Sequence, residues 1–105
     1  MVVGVLEVTL FMEGLDSLKG RRKVVKSLLG RVKARFNAAC SEVGGPGGEA
    51  RDHAVLGFAV CGGDAKILNA VLDRMLDFIE ANADAEVVDS RLECLNLGGG
   101  DWGEA

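Results

Sequence analysis

Residues 17–36 read SLKGRRKVVKSLLGRVKARF, and this stretch determines how the rest of the chain is interpreted. At about 100° per residue, its apolar side chains fall on one helical stripe, and a group of its basic side chains falls on another about a quarter-turn away. The apolar stripe consists of Leu18, Val25, Leu28, Leu29, Val32 and Phe36. The pattern predicts an amphipathic helix with one face in a core and one cationic face.

The charge of the chain is divided between this helix and the remainder. The helix has eight of the 12 Lys and Arg residues and no acidic residue, whereas the remainder has four basic residues and all 16 acidic ones. A net charge of −4 therefore combines a helix near +8 with a body near −12. The sequence predicts a surface that attracts an anion.

Strand patterns lie on both sides of this helix. Residues 2–12 have apolar side chains at every even position except Gly4, which is typical of a strand with one side in a core. Four strands are predicted, at residues 2–12, 38–43, 53–61 and 85–97. The GGPGGEARD segment at 44–52 is predicted to be a loop, because glycine and proline break regular structure.

A second helix is predicted from Ala65 to about Asn82, with Asp64 as its N-cap. Its apolar side chains recur at helical spacing and are predicted to be buried: Ile67, Leu68, Val71, Leu72, Met75, Phe78 and Ile79. The carboxylates at 73, 77 and 80 follow the same period and indicate a solvated face.

The β-α-β-β-α-β order predicts a ferredoxin-like α+β fold, with a four-stranded antiparallel sheet and both helices on one face. Right-handed crossovers leave few alternative topologies. A chain of 105 residues predicts one domain, assigned to residues 1–97, followed by a flexible Gly-rich tail at 98–105. The segment from Gly44 to Gly48 is also expected to be mobile, because it has few apolar residues to offset its ordering entropy.

Several classes of protein are disfavoured. The sequence has no apolar window of about 18 residues, so no membrane span is predicted, and Glu7 interrupts the segment where a signal peptide would lie. Cys40, Cys61 and Cys94 are an odd number without C-x-x-C spacing, which favours reduced thiols in the cytoplasm. No metal site and no cofactor are expected, because one His and three scattered Cys would have to converge and the glycine-rich loop lacks a GK[ST] motif.

The cationic helix carries the main functional hypothesis, a non-enzymatic module that binds RNA. Cations at a helix start oppose the macrodipole, so a repeated choice of Lys and Arg there indicates a function, and helix-start N–H groups also attract phosphate. The predicted contact residues are Lys19, Arg21, Arg22, Lys23, Lys26 and Lys33. For Lys33 and Arg35 the preferred interpretation is a solvated helix face, although Lys33 is kept among the contact residues. An acidic protein is an alternative partner.

The open sheet face gives a second hypothesis, a homo-oligomeric domain with a regulatory or small-ligand-binding role. Val3, Val5, Phe11 and Val55 are predicted to lie on this face and to form the dimer interface. Stacking of RNA bases there is disfavoured, because the two central strands offer one Phe and one His. His53 has no neighbouring motif that would make it a catalytic base, so no enzyme activity is predicted.

The segments SLKGRRKVVKSL and RVKARFN, followed by LGFAV, Asp64 and LDRMLDFIE, resemble the small bacterial YlxP-like proteins, a family of unknown function. The resemblance covers about residues 1–97 and implies a ferredoxin-like fold in a cytoplasmic bacterial protein. Members are often encoded beside translation initiation and ribosome maturation factors, which implies a role near RNA or a ribosomal subunit. The chain departs from the family pattern at GGPGGEARDH and after Leu97.

Overall fold

We describe the chain from a computed structural model, over residues 1–13, 18–44 and 52–97. Its elements are β1 (Val2–Phe11), α1 (Leu18–Phe36), β2 (Ala39–Gly44), β3 (His53–Gly62), α2 (Ala65–Asn82) and β4 (Glu86–Asn96). Gly44, predicted as the first loop residue, is the last residue of β2. Most of the glycine-rich loop and the tail at 98–105 lie outside the described residues.

The four strands form one antiparallel sheet in the order β2-β3-β1-β4. β1 pairs with β3 along its whole length, from Val2 opposite Gly62 to Phe11 opposite His53, and with β4 on its other side. The strand order and the two connecting helices confirm the predicted ferredoxin-like arrangement.

The core lies between the sheet and the two helices. Even-numbered side chains of β1 are buried, as the alternation predicts, and they meet the buried stripes of α1 (Val25, Leu28, Val32) and α2 (Leu68, Leu72, Met75, Ile79). Gly4 allows a close approach here, because an added Cβ would lie 2.8 Å from Leu72 Cδ1. The sheet's second face is therefore the one that the helices leave open.

Capping residues set the ends of both helices. Asp64 has extended backbone angles, and its carboxylate accepts hydrogen bonds from the N–H groups of Lys66 and Ile67, which confirms it as the N-cap of α2. At the end of α1, Asn37 has a φ of 51°, and its N–H donates to the carbonyl of Lys33. Asparagine tolerates this left-handed conformation better than most residues, so it stops the helix.

One predicted core residue of α2 is on the surface. Ile67 is 61% exposed, because the buried stripe of α2 runs through Leu68, Leu72 and Met75 and Ile67 lies a quarter-turn from it. Val71 and Phe78, on the same flank as Ile67, are only half-buried. Neither helix, over the described ranges, has the length and apolar character that crossing a bilayer requires.

Candidate nucleic-acid interface

Arg21 ties the N-terminal end of α1 to the sheet. Its guanidinium forms an ion pair with Glu42 on β2, and Nη2 donates to the backbone carbonyl of His53 on β3 at 3.1 Å. The Arg21 side chain is only 12% exposed. The prediction that Arg21 contacts RNA therefore requires this ion pair to open.

Two further arginines of α1 join it to α2. Arg31 Nη1 donates to the carbonyl of Asn82 at 3.2 Å, at the C-terminal end of α2, whose last turn has no basic residue of its own. A cation is favourable there, because the helix dipole is negative at that end. The Arg35 guanidinium lies 5.1 Å from the ring centre of Phe78, within cation–π range.

The other five cations of α1 form what we call the cationic face: Lys19, Arg22, Lys23, Lys26 and Lys33. All five side chains are exposed, and no described residue forms an ion pair or hydrogen bond with any of them. At 100° and 1.5 Å per residue they occupy an arc of about 100° and a length of about 21 Å. Lys33, for which the sequence favours a solvated surface, lies within this arc.

Gly30 lies on the cationic face between Lys26 and Lys33 and has no packing role among the described residues. It is exposed, and an added Cβ would meet no atom within 4 Å. Glycine inside a helix costs about 0.8–1 kcal/mol relative to alanine. The helix therefore carries a stability cost within its cationic face.

Gly30→Ala should raise the free energy of unfolding by about 0.8–1 kcal/mol, measured by urea denaturation. Gly4→Ala is the contrasting variant, because its Cβ would lie 2.8 Å from Leu72 Cδ1, and it should lower the stability. Unchanged or reduced stability in Gly30→Ala would mean that the glycine has a structural role in α1.

The described thiols are Cys40, Cys61 and Cys94, and none of them is in a disulfide. Burial raises the pKa of the Cys40 thiol, and the nearby Lys33 ammonium partly opposes this shift. A thiol that stays protonated is a weak nucleophile. No cluster of three His, Cys, Asp or Glu side chains that could hold a metal ion occurs among the described residues.

The imidazole of His53 lies at one end of the open sheet face. Its Nδ1 is 3.1 Å from Asp52 Oδ1, and its ring centre is 5.1 Å from that of Phe11. The imidazole is half-exposed between these two contacts.

The open sheet face contains a groove of about 770 Å³. Its floor lies on β2 and β3 and includes the small residues Ala39, Ser41 and Ala59. Val43 of β2 covers Gly57, because a Cβ added to Gly57 would lie 2.7 Å from Val43 Cγ1. Glu7, Arg91 and Glu93 line the side nearest β4. The predicted dimer residues Val3, Val5, Phe11 and Val55 are all half-buried, and Val5 lines the groove.

Comparison with known families matches residues 3–92 to a family described as "Protein of unknown function (DUF503)". The chain belongs to the DUF503 family. The match includes α1 with its cationic face and extends into β4. No curated protein matches the chain.

Among solved structures, this DUF503 protein is similar to one titled "De novo designed protein Ferredog-Diesel". The identity is 8% and the TM-score 0.43, over 87% of this chain and 83% of the designed one. The strand order and antiparallel register of the DUF503 protein itself define its ferredoxin-like fold.

The structure brings five of the six predicted contact residues of this DUF503 protein onto one surface and separates Arg21 from them. Helical spacing could have shown that Arg21 lies on the buried side of α1, because it lies four residues before Val25 and seven before Leu28, both buried. The groove was not predicted, although Gly57 and Ala59 alternate on the open side of β3.

Proposed function

We propose that this DUF503 protein is a non-enzymatic module that binds structured RNA by placing the cationic face of α1 against the phosphate backbone. The observation that carries the proposal is the division among the cations of α1. Arg21, Arg31 and Arg35 are engaged within the protein, whereas the cationic face has no partner among the described residues. Such a surface attracts phosphate.

The chemistry of the face suits the backbone of RNA more than its bases. Four of its five cations are within the first nine residues of α1, and four are lysines, which act as point charges on phosphate. Base recognition on the sheet receives less support. Phe11 and His53 are the aromatic residues of the open face of β1 and β3, and they pack against each other.

The YlxP-like resemblance makes ribosomal RNA the first RNA to test, because it implies genes beside translation factors. It also favours a bacterial cytoplasmic location. The free thiols of Cys40, Cys61 and Cys94 support a reducing compartment.

Replacing Lys19, Arg22, Lys23 and Lys26 with alanine should weaken RNA binding for many different sequences, because phosphate contacts contain little base information. If about four phosphates are neutralised, the slope of log affinity against log salt should be about −3 to −4 in the wild type and flatter in the variant. Titration of fluorescent RNA hairpins at several salt concentrations, together with co-sedimentation with small ribosomal subunits, measures both.

The matched control is Lys66→Glu with Arg74→Glu on α2. This control changes the net charge by the same amount, at exposed positions of α2. It should keep the wild-type salt slope. Equal affinity and equal slope in the wild type and the four-alanine variant would reduce the cationic face to a feature of solubility. Binding to an acidic protein without binding to RNA would make that protein, rather than RNA, the partner of the cationic face.

The groove on the open sheet face favours a small ligand as the second candidate function. Its volume of about 770 Å³ lies in the range of small-molecule sites, and its lining combines apolar residues with the charged Glu7, Arg91 and Glu93. Two such concave surfaces placed face to face would leave a gap, so the groove favours a ligand over direct docking of this face on its copy. This candidate gains weight if the RNA experiment fails.

A further inference from the structure

β4 is an edge of the sheet that no other described element covers. It pairs with β1 on one side, and on its other side none of the strands in residues 1–13, 18–44 and 52–97 is its neighbour. Three of the six exposed large hydrophobic side chains among the described residues lie on it: Val88, Leu92 and Leu95. Exposed edges of this kind pair readily with another strand unless charges, prolines or bulges prevent it.

The irregularity of β4 is confined to its first part. The register with β1 shifts between Thr9 and Leu10, where Val88 is skipped, and is regular from Asp89 to Asn96. Pairing with odd-numbered β1 residues places Asp89, Arg91, Glu93 and Leu95 on the open face. Ser90, Leu92 and Cys94 lie on the helix side. The regular segment contains neither lysine nor proline.

We infer that this edge pairs with β4 of a second copy of the chain, antiparallel and centred on Leu92. In this register Arg91 of each copy lies opposite Glu93 of the other, on the open face, which gives two ion pairs across the new interface. Leu92 lies opposite its own copy on the helix side, where it is 37% exposed in one chain. The charge pattern of β4 thus favours a second copy of the same strand as its pairing partner.

Neighbouring registers are less favourable. Centring on Arg91 would place arginine opposite arginine and Asp89 opposite Glu93, and like charges directly opposite are destabilising. Centring on Ser90 would place Asp89 opposite Arg91 but would carry the pairing through the irregularity at Val88. A shift of the pairing by one residue would bring opposite faces together. Leu92 is therefore the centre that places opposite charges across from each other within the regular segment.

Pairing of this kind joins two four-stranded sheets into one, with all helices on the same side. α2 packs on β1 and β4, near the new interface, whereas α1 packs on β2, at the far edge. At about 4.8 Å between strands, the two α1 helices would lie about 30 Å apart. The assembly would present two cationic faces on one side, but the pairing itself does not depend on RNA.

Charge exchange across the interface tests the proposal. The wild type should have twice the 11.0 kDa mass of one chain in sedimentation equilibrium. Arg91→Glu alone and Glu93→Arg alone should each weaken the dimer at least about tenfold, because each places like charges opposite each other at two positions. The double variant R91E/E93R should restore it, and an equimolar mixture of the two single variants should form a heterodimer.

Glu86→Arg is the matched control, a charge reversal on β4 outside the paired segment, and should leave the mass unchanged. Arg91 is opposite Glu7 on β1, so R91E is checked for folding by circular dichroism. Should R91E unfold, Glu93→Arg, whose β1 neighbour is Val5, still tests the register. A monomeric wild type at millimolar concentration overturns the proposal. The proposal is also overturned if the single β4 variants dimerise like the wild type. It is overturned likewise if Val5→Glu, on the open sheet face, dissociates the dimer and the β4 variants do not.

Discussion

Val25→Asp should leave the chain unfolded at neutral pH. Val25 is 5% exposed on the buried stripe of α1. A carboxylate there would be buried among apolar side chains, with a pKa raised well above the usual aspartate range. We expect a loss of about 4–6 kcal/mol, from the buried charge and the lost apolar contacts together, which is comparable with the whole stability of a small domain.

Ser27→Asp is the matched control, because it introduces the same charge two residues further along α1 at an exposed position. It should fold like the wild type in circular dichroism and unfold at a similar urea concentration. A cooperative transition at the same midpoint in Val25→Asp would show that this face of α1 is not in the core.

The effect of Val25→Asp should depend on pH with a defined sign. A buried carboxyl whose pKa is raised in the folded state destabilises that state at pH values above the usual aspartate pKa, and the penalty disappears when both states are protonated. The stability difference from the wild type should therefore shrink as the pH falls toward about 4. A difference that stays constant with pH would assign the loss to packing alone.

The fold could be predicted because its signals are local. Alternation in β1 and the helical periods of α1 and α2 depend on residues a few positions apart, and Asp64 and Asn37 mark helix ends through their own side-chain or backbone chemistry. The six elements follow, and the crossover rules leave one arrangement to expect. Ile67 shows the limit of this prediction. Its apolar side chain follows the helical period of α2 but lies at the edge of the apolar stripe, and the sequence does not decide which edge faces the core.

The site could be predicted only in part, because it depends on partners distant in the chain. The sequence shows eight cations in one helix, but Glu42 and Asn82 become partners of Arg21 and Arg31 only when the sheet and α2 are in place. The groove has the same origin: its floor joins residues of β2 and β3, and its charged side comes from β1 and β4. Long-range pairing of this kind is not visible in a local pattern.

The division among the cations of α1 has a geometric basis. On a helical wheel, Arg21 falls among Val25, Leu28 and Val32, about 145° from the centre of the cationic face. Arg31 and Arg35 lie on the flank between the two, where they contact α2. A long side chain with a planar donor group suits such positions, because its stem packs and its end reaches a fixed acceptor.

Arg21→Ala and Arg22→Ala, at adjacent positions, should therefore affect different properties. The first should lower stability, and the second should weaken RNA binding. Arg21→Ala removes the ion pair with Glu42 and the hydrogen bond to the His53 carbonyl, so the free energy of unfolding should fall by about 1–3 kcal/mol. RNA affinity per folded molecule should be kept. Arg22→Ala should change stability by less than about 0.5 kcal/mol and should weaken RNA binding, because its side chain is exposed on the cationic face.

Urea denaturation and RNA titration of the two variants, at a temperature where both are folded, measure the pair of effects. Arg21→Lys separates charge from geometry: it keeps the positive charge but cannot contact both Glu42 oxygens and the carbonyl as a planar group does. Its stability should therefore lie between those of Arg21→Ala and the wild type. If Arg21→Ala weakens RNA binding as strongly as Arg22→Ala, the guanidinium of Arg21 leaves Glu42 for a phosphate, and the contact surface extends around α1 toward β2.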